Sequence, residues 1–277
     1  MSAGERISLL VSDVDGTLVT ADKRLTDGVI AAAHRLQEAG VRLSLVSSRP
    51  PMGFAMLAEP LGMKAPIGAF NGGAIMNPDL TVIELTLVPA DAARDAILAF
   101  AEFGIDAWLF SKDTWYITNP DGDYVPKERR TIGHEPTVVA SLEPYLGQVG
   151  KLVGSSKAFD RVAACEAALA KRLEGRASAK RSQPYYLDVT PWGFDKGEAT
   201  RRIARVLGIP LSEVAVIGDQ SNDLPMFAVA AYKIAMGNGI DAVKQMADYV
   251  TLDNEHDGWA AAVDHFILSR AALAHPA

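Results

Sequence analysis

The chain has 277 residues, 49% of them apolar and 22% charged, the composition of an ordinary soluble globular protein long enough for two compact units. No apolar run is long and charge-free enough to span a bilayer, and Glu5 and Arg6 pass straight into a strand pattern with no signal-peptide core. A net charge of −7 argues against general nucleic-acid binding, while the only cysteine, Cys165, excludes an internal disulfide and points to a reducing, cytoplasmic setting.

The first third alternates between strand and helix patterns. Residues 7–14 read as a buried strand, and Thr26 or Asp27 caps a helix that runs to Ala39 and stops at Gly40. Val41–Ser47 is the next strand, Pro50-Pro51 opens a helix through Leu61, and Ile67–Phe70 is a third strand. This βαβαβ order implies a parallel sheet with right-handed crossovers. After Asn71-Gly72-Gly73 the character changes. Ala74–Met76 and Thr81–Leu87 form a hairpin across Asn77-Pro78-Asp79, followed by a helix over Ala90–Phe103. Strands are predicted at Ile105–Phe110, Thr114–Thr118, Lys151–Ser155, Ala177–Ser182 and Tyr185–Val189, with a helix at Phe159–Glu174 and an irregular polar stretch at Asn119–Pro136. Mixed hairpins and helices suggest an inserted α+β unit. From Lys196 the βα alternation returns: a helix to Leu207, a strand Val214–Ile217, a helix Asn222–Ala228, a strand Tyr232–Ala235, a helix Ile240–Met246 and a last helix from Asp257.

Four small clusters sit at or beyond strand ends of this framework. Asp13-x-Asp15-Gly16-Thr17 puts two carboxylates where a parallel sheet opens its active site, and such a pair calls for a cation or a shared proton. Alone it also reads as a strand followed by an Asp-Gly turn. Ser47-Ser48-Arg49 offers a hydroxyl and backbone N–H groups to a phosphate, or simply a helix cap. Lys196 opens a helix, where a cation opposes the dipole unless an anion lies in reach; a solvated lysine is the ordinary alternative. Gly218-Asp219-Gln220-Ser221-Asn222-Asp223 adds the oxygen-rich set that Mg²⁺ prefers, or an Asx-turn with a cap. The histidines His34, His134, His256, His265 and His275 show no metal-ligand spacing.

In this order, the clusters resemble the haloacid dehalogenase superfamily of phosphotransferases. They are similar to its Cof-type subfamily, which carries a type IIB α/β cap between the second and third motifs. The resemblance rests on Asp13–Leu18, Ser47–Arg49, Asn71-Gly72-Gly73, Lys196-Gly197, Gly218–Met226 and Asp257-Gly258. It implies an α/β fold, a Rossmann-like parallel-sheet core with an inserted α+β cap, divided as core 1–86, cap 87–189 and core 190–277. It also implies a Mg²⁺-dependent phosphatase acting on a small phosphorylated metabolite, a sugar phosphate or similar monoester.

By the same resemblance Asp13 is the nucleophile that becomes an aspartyl-phosphate, and Asp15 is the general acid and base. Mg²⁺ is held by the Asp13 carboxylate, the Asp15 carbonyl and Asp219, with Asp223 beside it. Ser47, the Ser48 backbone, Lys196 and Asn222 hold the phosphate, and Arg49 and Asn71 meet the substrate. The chain departs from the pattern at Ser48, where the family usually has glycine. Trp192 and Phe194 either pack the hinge, the reading we prefer, or wall the pocket. Trp108, Trp115 and Tyr116 read as strand core, and Lys112, Lys127, Arg129 and Arg130 as a solvated face. Hinges are expected near Leu87–Pro89 and Val189–Pro191. A phosphomutase and a non-catalytic phosphometabolite-binding regulator are the alternatives, and no membrane or nucleic-acid partner is expected.

Overall fold

The computed structural model describes residues 6–272, so Glu5 and His275 lie outside the described residues. The elements in chain order are β1 (Leu9–Ser12), α1 (Asp27–Glu38), β2 (Arg42–Leu45), α2 (Ala55–Ala58), β3 (Ile67–Ala69), β4 (Ala74–Met76), β5 (Val82–Leu85) and α3 (Ala90–Glu102). Next come β6 (Asp106–Phe110), β7 (Trp115–Ile117), α4 (Val125–Ile132), β8 (Thr137–Val138), β9 (Lys151–Ser155), α5 (Phe159–Arg172), β10 (Ala177–Gln183) and β11 (Tyr186–Pro191). The described residues end with α6 (Lys196–Leu207), β12 (Val214–Gly218), α7 (Leu224–Val229), β13 (Tyr232–Ala235), α8 (Asp241–Met246), β14 (Tyr249–Val250), α9 (Gly258–Ala262) and α10 (Leu268–Ala272).

Five strands form a parallel sheet in the order β14-β13-β12-β1-β2. All four residues of the interior strand β1 are buried, as a strand covered by helices on both faces requires. Ser12 pairs in register with Leu45 on one side and Ile217 on the other. The residues that follow these strands therefore emerge together at the carboxyl edge of the sheet. α1 starts where the Thr26 hydroxyl accepts the Val29 N–H at 3.1 Å, and α6 starts where Asp195 accepts the Glu198 N–H at 2.9 Å. Gly208, in the left-handed region at φ 67°, ends α6.

The cap is a six-stranded sheet in the order β10-β11-β9-β6-β7-β8, antiparallel except where β8 joins β7. One face carries Leu109, Leu152, Leu187 and Val189 against the apolar sides of α3 and α5, with Cys165 buried among them. Burial pushes the Cys165 thiol up to about 11. The opposite face carries Trp108, Phe110, Trp115 and Val153, all buried, so Trp108 and Trp115 are core as the sequence suggested, while Tyr116 is half-buried against the helix-packed face. Period-two alternation decides the rest: Ala177 and Ala179 of β10 join the helix-packed face, while Ser178, Lys180 and Ser182 face the other way.

The structure departs from the sequence reading in several places. β3 runs antiparallel to β4 in a separate three-stranded sheet with β5, while Gly68 keeps the parallel direction expected from the sequence in a single bridge to Val46. The helix expected to Leu61 is a 3₁₀ turn, Pro51–Phe54, running into the four-residue α2. The stretch read as irregular holds α4, which opens with Pro126 in its first turn and ends at Gly133 in the left-handed region. The short strands β8 and β14 gave no periodic signal at two residues each. Beyond α9 the chain takes one π-helical stretch, Val263–Ile267.

Candidate active site

Asp13 follows β1 directly and is 4% exposed. Its Oδ1 accepts from Lys196 Nζ at 2.6 Å, and the same nitrogen donates to Asp223 Oδ1 at 2.6 Å. Lys196 is 1% exposed at the first position of α6. Burial alone would lower the pKa of this ammonium, but Asp13 and Asp223 outweigh it and hold the value above the usual lysine range. These two carboxylates also explain how a cation sits at a helix N-terminus.

Asp223 is fully buried and its oxygens are committed: Oδ1 to Lys196, Oδ2 to the N–H groups of Asp219 and Gln220, both at 2.8 Å. Asp219 Oδ1 accepts from the Thr17 hydroxyl at 3.0 Å. Gly16 lies beside it at φ 88°, and a Cβ there would stand 2.5 Å from Asp219 Oδ2, so this turn needs glycine for both reasons. Asp13, Asp219 and Asp223 bring carboxylate oxygens within 4.8 Å of one another. Burial pushes Asp13 well above the usual carboxylate range; Lys196 opposes the rise, and Asp223 and Asp219 add to it. Asp219 is raised as well, by burial and then by Asp223. Three buried carboxylates against one ammonium leave excess negative charge, and an all-oxygen set of this kind fits a hard divalent cation.

Asp15 points the other way. Arg49 grips it with two hydrogen bonds, Nε to Oδ2 at 2.7 Å and Nη2 to Oδ1 at 2.8 Å, and Lys23 Nζ adds a contact at 2.7 Å. Burial would raise this carboxyl, but the Arg49 guanidinium, followed by Lys23, holds it well below the usual range. The two aspartates of the first motif thus occupy opposite electrostatic settings two residues apart.

Ser47 is buried at 2% exposure, and its Oγ accepts the Arg49 N–H at 3.2 Å. Ser48, where the family usually has glycine, shows no positive φ, so the serine brings no backbone strain. A cavity of about 80 Å³ over these groups is lined by Asp13, Asp15, Ser47, Ser48, Arg49 and Asn222 from the core. From the cap it is lined by Lys127, Glu128, Lys151, Ser182, Tyr185 and Tyr186. A larger cavity of about 420 Å³ adjoins it through Ser182 and Asn222 and takes in Asn71, Lys196, Lys180, Trp192 and Phe194. Asn71 has positive φ, at 54°, and its Oδ1 is buried with no hydrogen-bond partner.

Of the ten residues singled out from the sequence, eight line the paired cavities, Asp13, Asp15, Ser47, Ser48, Arg49, Asn71, Lys196 and Asn222, while Asp219 and Asp223 stand beside Asp13, with Asp223 bonded to Lys196. Trp192 is 51% exposed at the rim, so it does not pack the hinge, and Phe194 lies under the Arg202 guanidinium at 5.0 Å. Lys127 reaches the smaller cavity and bonds Tyr185, whereas Lys112, Arg129 and Arg130 stay in solvent. Sequence reading missed Lys23, Glu128, Lys151 and Asp188. Only Lys23, close behind the first motif, carried a signal; the others are strand or helix positions whose facing depends on the fold.

A parallel-sheet core with its carboxylates at the carboxyl edge, closed by an inserted antiparallel cap, defines the class of capped α/β hydrolases. Residues 10–263 match the model of the haloacid dehalogenase-like hydrolases, and the chain belongs to that family, within it to the Cof type. A haloacid dehalogenase-like hydrolase from Bacteroides thetaiotaomicron superposes with a TM-score of 0.86 at 30% identity, over 94% of this chain and 99% of that one. A subclass IIB sugar phosphatase superposes with a TM-score of 0.79 at 25% identity, over 94% and 98%. The pyridoxal phosphate phosphatase YbhA of Escherichia coli strain K12 is 27% identical over 265 residues, 91% of this chain and 96% of the relative.

Proposed function

We propose that this chain is a Mg²⁺-dependent phosphatase that hydrolyses a small phosphate monoester through an aspartyl-phosphate on Asp13. That it is a phosphatase of the haloacid dehalogenase-like hydrolases follows from its family and its relatives. The metal and the residue roles rest on one observation: Asp13 is held by Lys196 inside a buried carboxylate cluster, while Asp15 is held by Arg49 outside it.

Asp13 Oδ attacks the phosphorus and the ester P–O bond breaks, with the departing alkoxide taking its proton from Asp15. Asp15 then removes a proton from water. The water oxygen attacks the phosphorus, the P–O bond to Asp13 breaks, and phosphate leaves. Lys196 neutralises charge on Asp13 and on the incoming phosphate, the term that makes carboxylate attack on an anion possible. Asp13, the Asp15 carbonyl and Asp219, with Asp223 beside them, would hold Mg²⁺, which when bound supplies further charge neutralisation. Ser47, the Ser48 N–H and Asn222 hold the transferring group. In the free protein Asp15 is an anion; a phosphate dianion competes for Arg49 and Lys23, loosens their hold and lets Asp15 carry the proton it must donate.

The substrate body belongs in the adjoining cavity, whose volume of about 420 Å³ suits a small metabolite. Asn71, Ser178, Ser182 and Thr190 offer hydrogen bonds there and Trp192 a flat face, a set suited to a sugar phosphate or a related metabolite. Among the described residues we assign 6–86 and 190–272 to the core and 87–189 to the cap, with β11 running on to Pro191. A cytoplasmic location is supported by the single buried thiol, and among the described residues no helix is long and apolar enough to cross a membrane. The test is hydrolysis of p-nitrophenyl phosphate and a panel of sugar phosphates with and without Mg²⁺. Turnover that needs the metal is expected; none on any ester would remove the reading.

A further inference from the structure

Lys151 lies on β9 of the cap, yet its ammonium is buried at 4% exposure in the phosphoryl site of the core. Its Nζ donates to the Ser48 carbonyl at 2.9 Å, faces Asp188 Oδ2 at 3.5 Å and stands 5.3 Å over the Phe110 ring. Three consecutive carbonyls of the 47–49 loop are bound from two directions. Ser47 O accepts from Asn71 N at 2.9 Å and Arg49 O from Phe70 N at 3.0 Å, both within the core, whereas Ser48 O is held by the cap.

The Ser48–Arg49 peptide is therefore fixed at both ends. Its carbonyl meets Lys151, and its N–H donates to Ser47 Oγ at 3.2 Å. An ammonium on the carbonyl polarises the peptide and strengthens the bond on its N–H side. Because Ser47 Oγ accepts that bond, its own hydrogen remains free to donate into the small cavity.

We propose that Lys151 is a positioning residue: it completes the phosphate-binding loop from the cap, so that the loop reaches full affinity only when the cap is shut. Asp188, 4% exposed, is its buried counter-charge. The proposal rests on reading residues 47–49 as the phosphate-binding loop of a phosphatase.

The test compares the wild type with Lys151→Met and with Lys151→Met/Asp188→Asn, the double variant removing both members of the buried Lys151–Asp188 pair. Thermal unfolding reports the fold, calorimetric titration with inorganic phosphate in Mg²⁺ reports the loop, and p-nitrophenyl phosphate separates KM from kcat. Loss of a charge-assisted bond is expected to weaken phosphate binding about 10- to 100-fold, with KM rising by a similar factor and kcat changing less. The double variant should recover thermal stability over the single one without recovering phosphate affinity. A folded double variant with wild-type phosphate affinity and KM would overturn the role of Lys151 and leave the phosphatase reading standing. A wild type that neither binds phosphate nor hydrolyses any ester would remove both.

Discussion

Asp13 and Asp15 differ by their neighbours alone. Asp13 shares a buried space with Asp219, Asp223 and Lys196, while Asp15, 24% exposed at its side chain, is gripped by a guanidinium that is 3% exposed. Because Asp15 is lowered from 3.8, its contribution to stability is complete above that value and is lost as the pH falls through the lowered folded value. Asp15→Asn, with chelator present, is therefore expected to be less stable than the wild type by about 3 kcal/mol at neutral pH, since it leaves Arg49 buried and unpaired. The gap should shrink as the pH falls below 4. Urea unfolding across pH 2–7 measures this, and a gap that stays constant with pH would refute the ion-pair account.

Among elements, β1 is tied to the far end of the chain. Trp259 of α9 is fully buried and donates through Nε1 to Ser12 Oγ at 2.9 Å, and Ser12 Oγ donates to the Asp13 carbonyl at 2.6 Å. Trp259→Phe removes one bond and some volume, and is expected to lower stability by about 1–3 kcal/mol. An unchanged urea midpoint would show that the link to β1 carries no stability. The sequence made the core elements legible because β1, β2 and β12 are apolar runs ending in polar clusters, and parallel pairing brings such ends to one edge. Asp13, Ser47, Lys196 and Asp219 could be found that way. Lys151 and Asp188 could not: each sits on an alternating cap strand, and whether it faces solvent or the site depends on which side the core covers. α4 was hidden for a related reason, because Pro126 and a run of charges read as loop although Val125, Glu128 and Ile132 turn to one buried side. β3 keeps one parallel bridge to β2 but leaves the main sheet, because its antiparallel pairing with β4 turns on Phe70, Asn71 and Gly72, all with positive φ, a backbone feature that no hydrophobic pattern encodes.

At the scale of the whole molecule, core and cap divide the labour. The core presents Asp13, Lys196 and a carboxylate cluster that suits a cation; the cap adds Lys127, Glu128, Lys151, Tyr185 and Tyr186 over them and walls the larger cavity. A sugar phosphatase shares this fold and a pyridoxal phosphate phosphatase is a sequence relative, while Trp192, Lys180 and Ser178 face the larger cavity from the hinge and β10. The covalent step on Asp13 is the claim on which the rest depends. It is tested most directly by mixing excess enzyme with a phosphate ester in Mg²⁺, quenching in acid within the first turnover, and mapping the modified peptide by mass spectrometry. A gain of one phosphoryl group is expected on the peptide that carries Asp13, absent from Asp13→Asn. Full turnover by Asp13→Asn, or phosphoryl transfer to a different side chain, would contradict it.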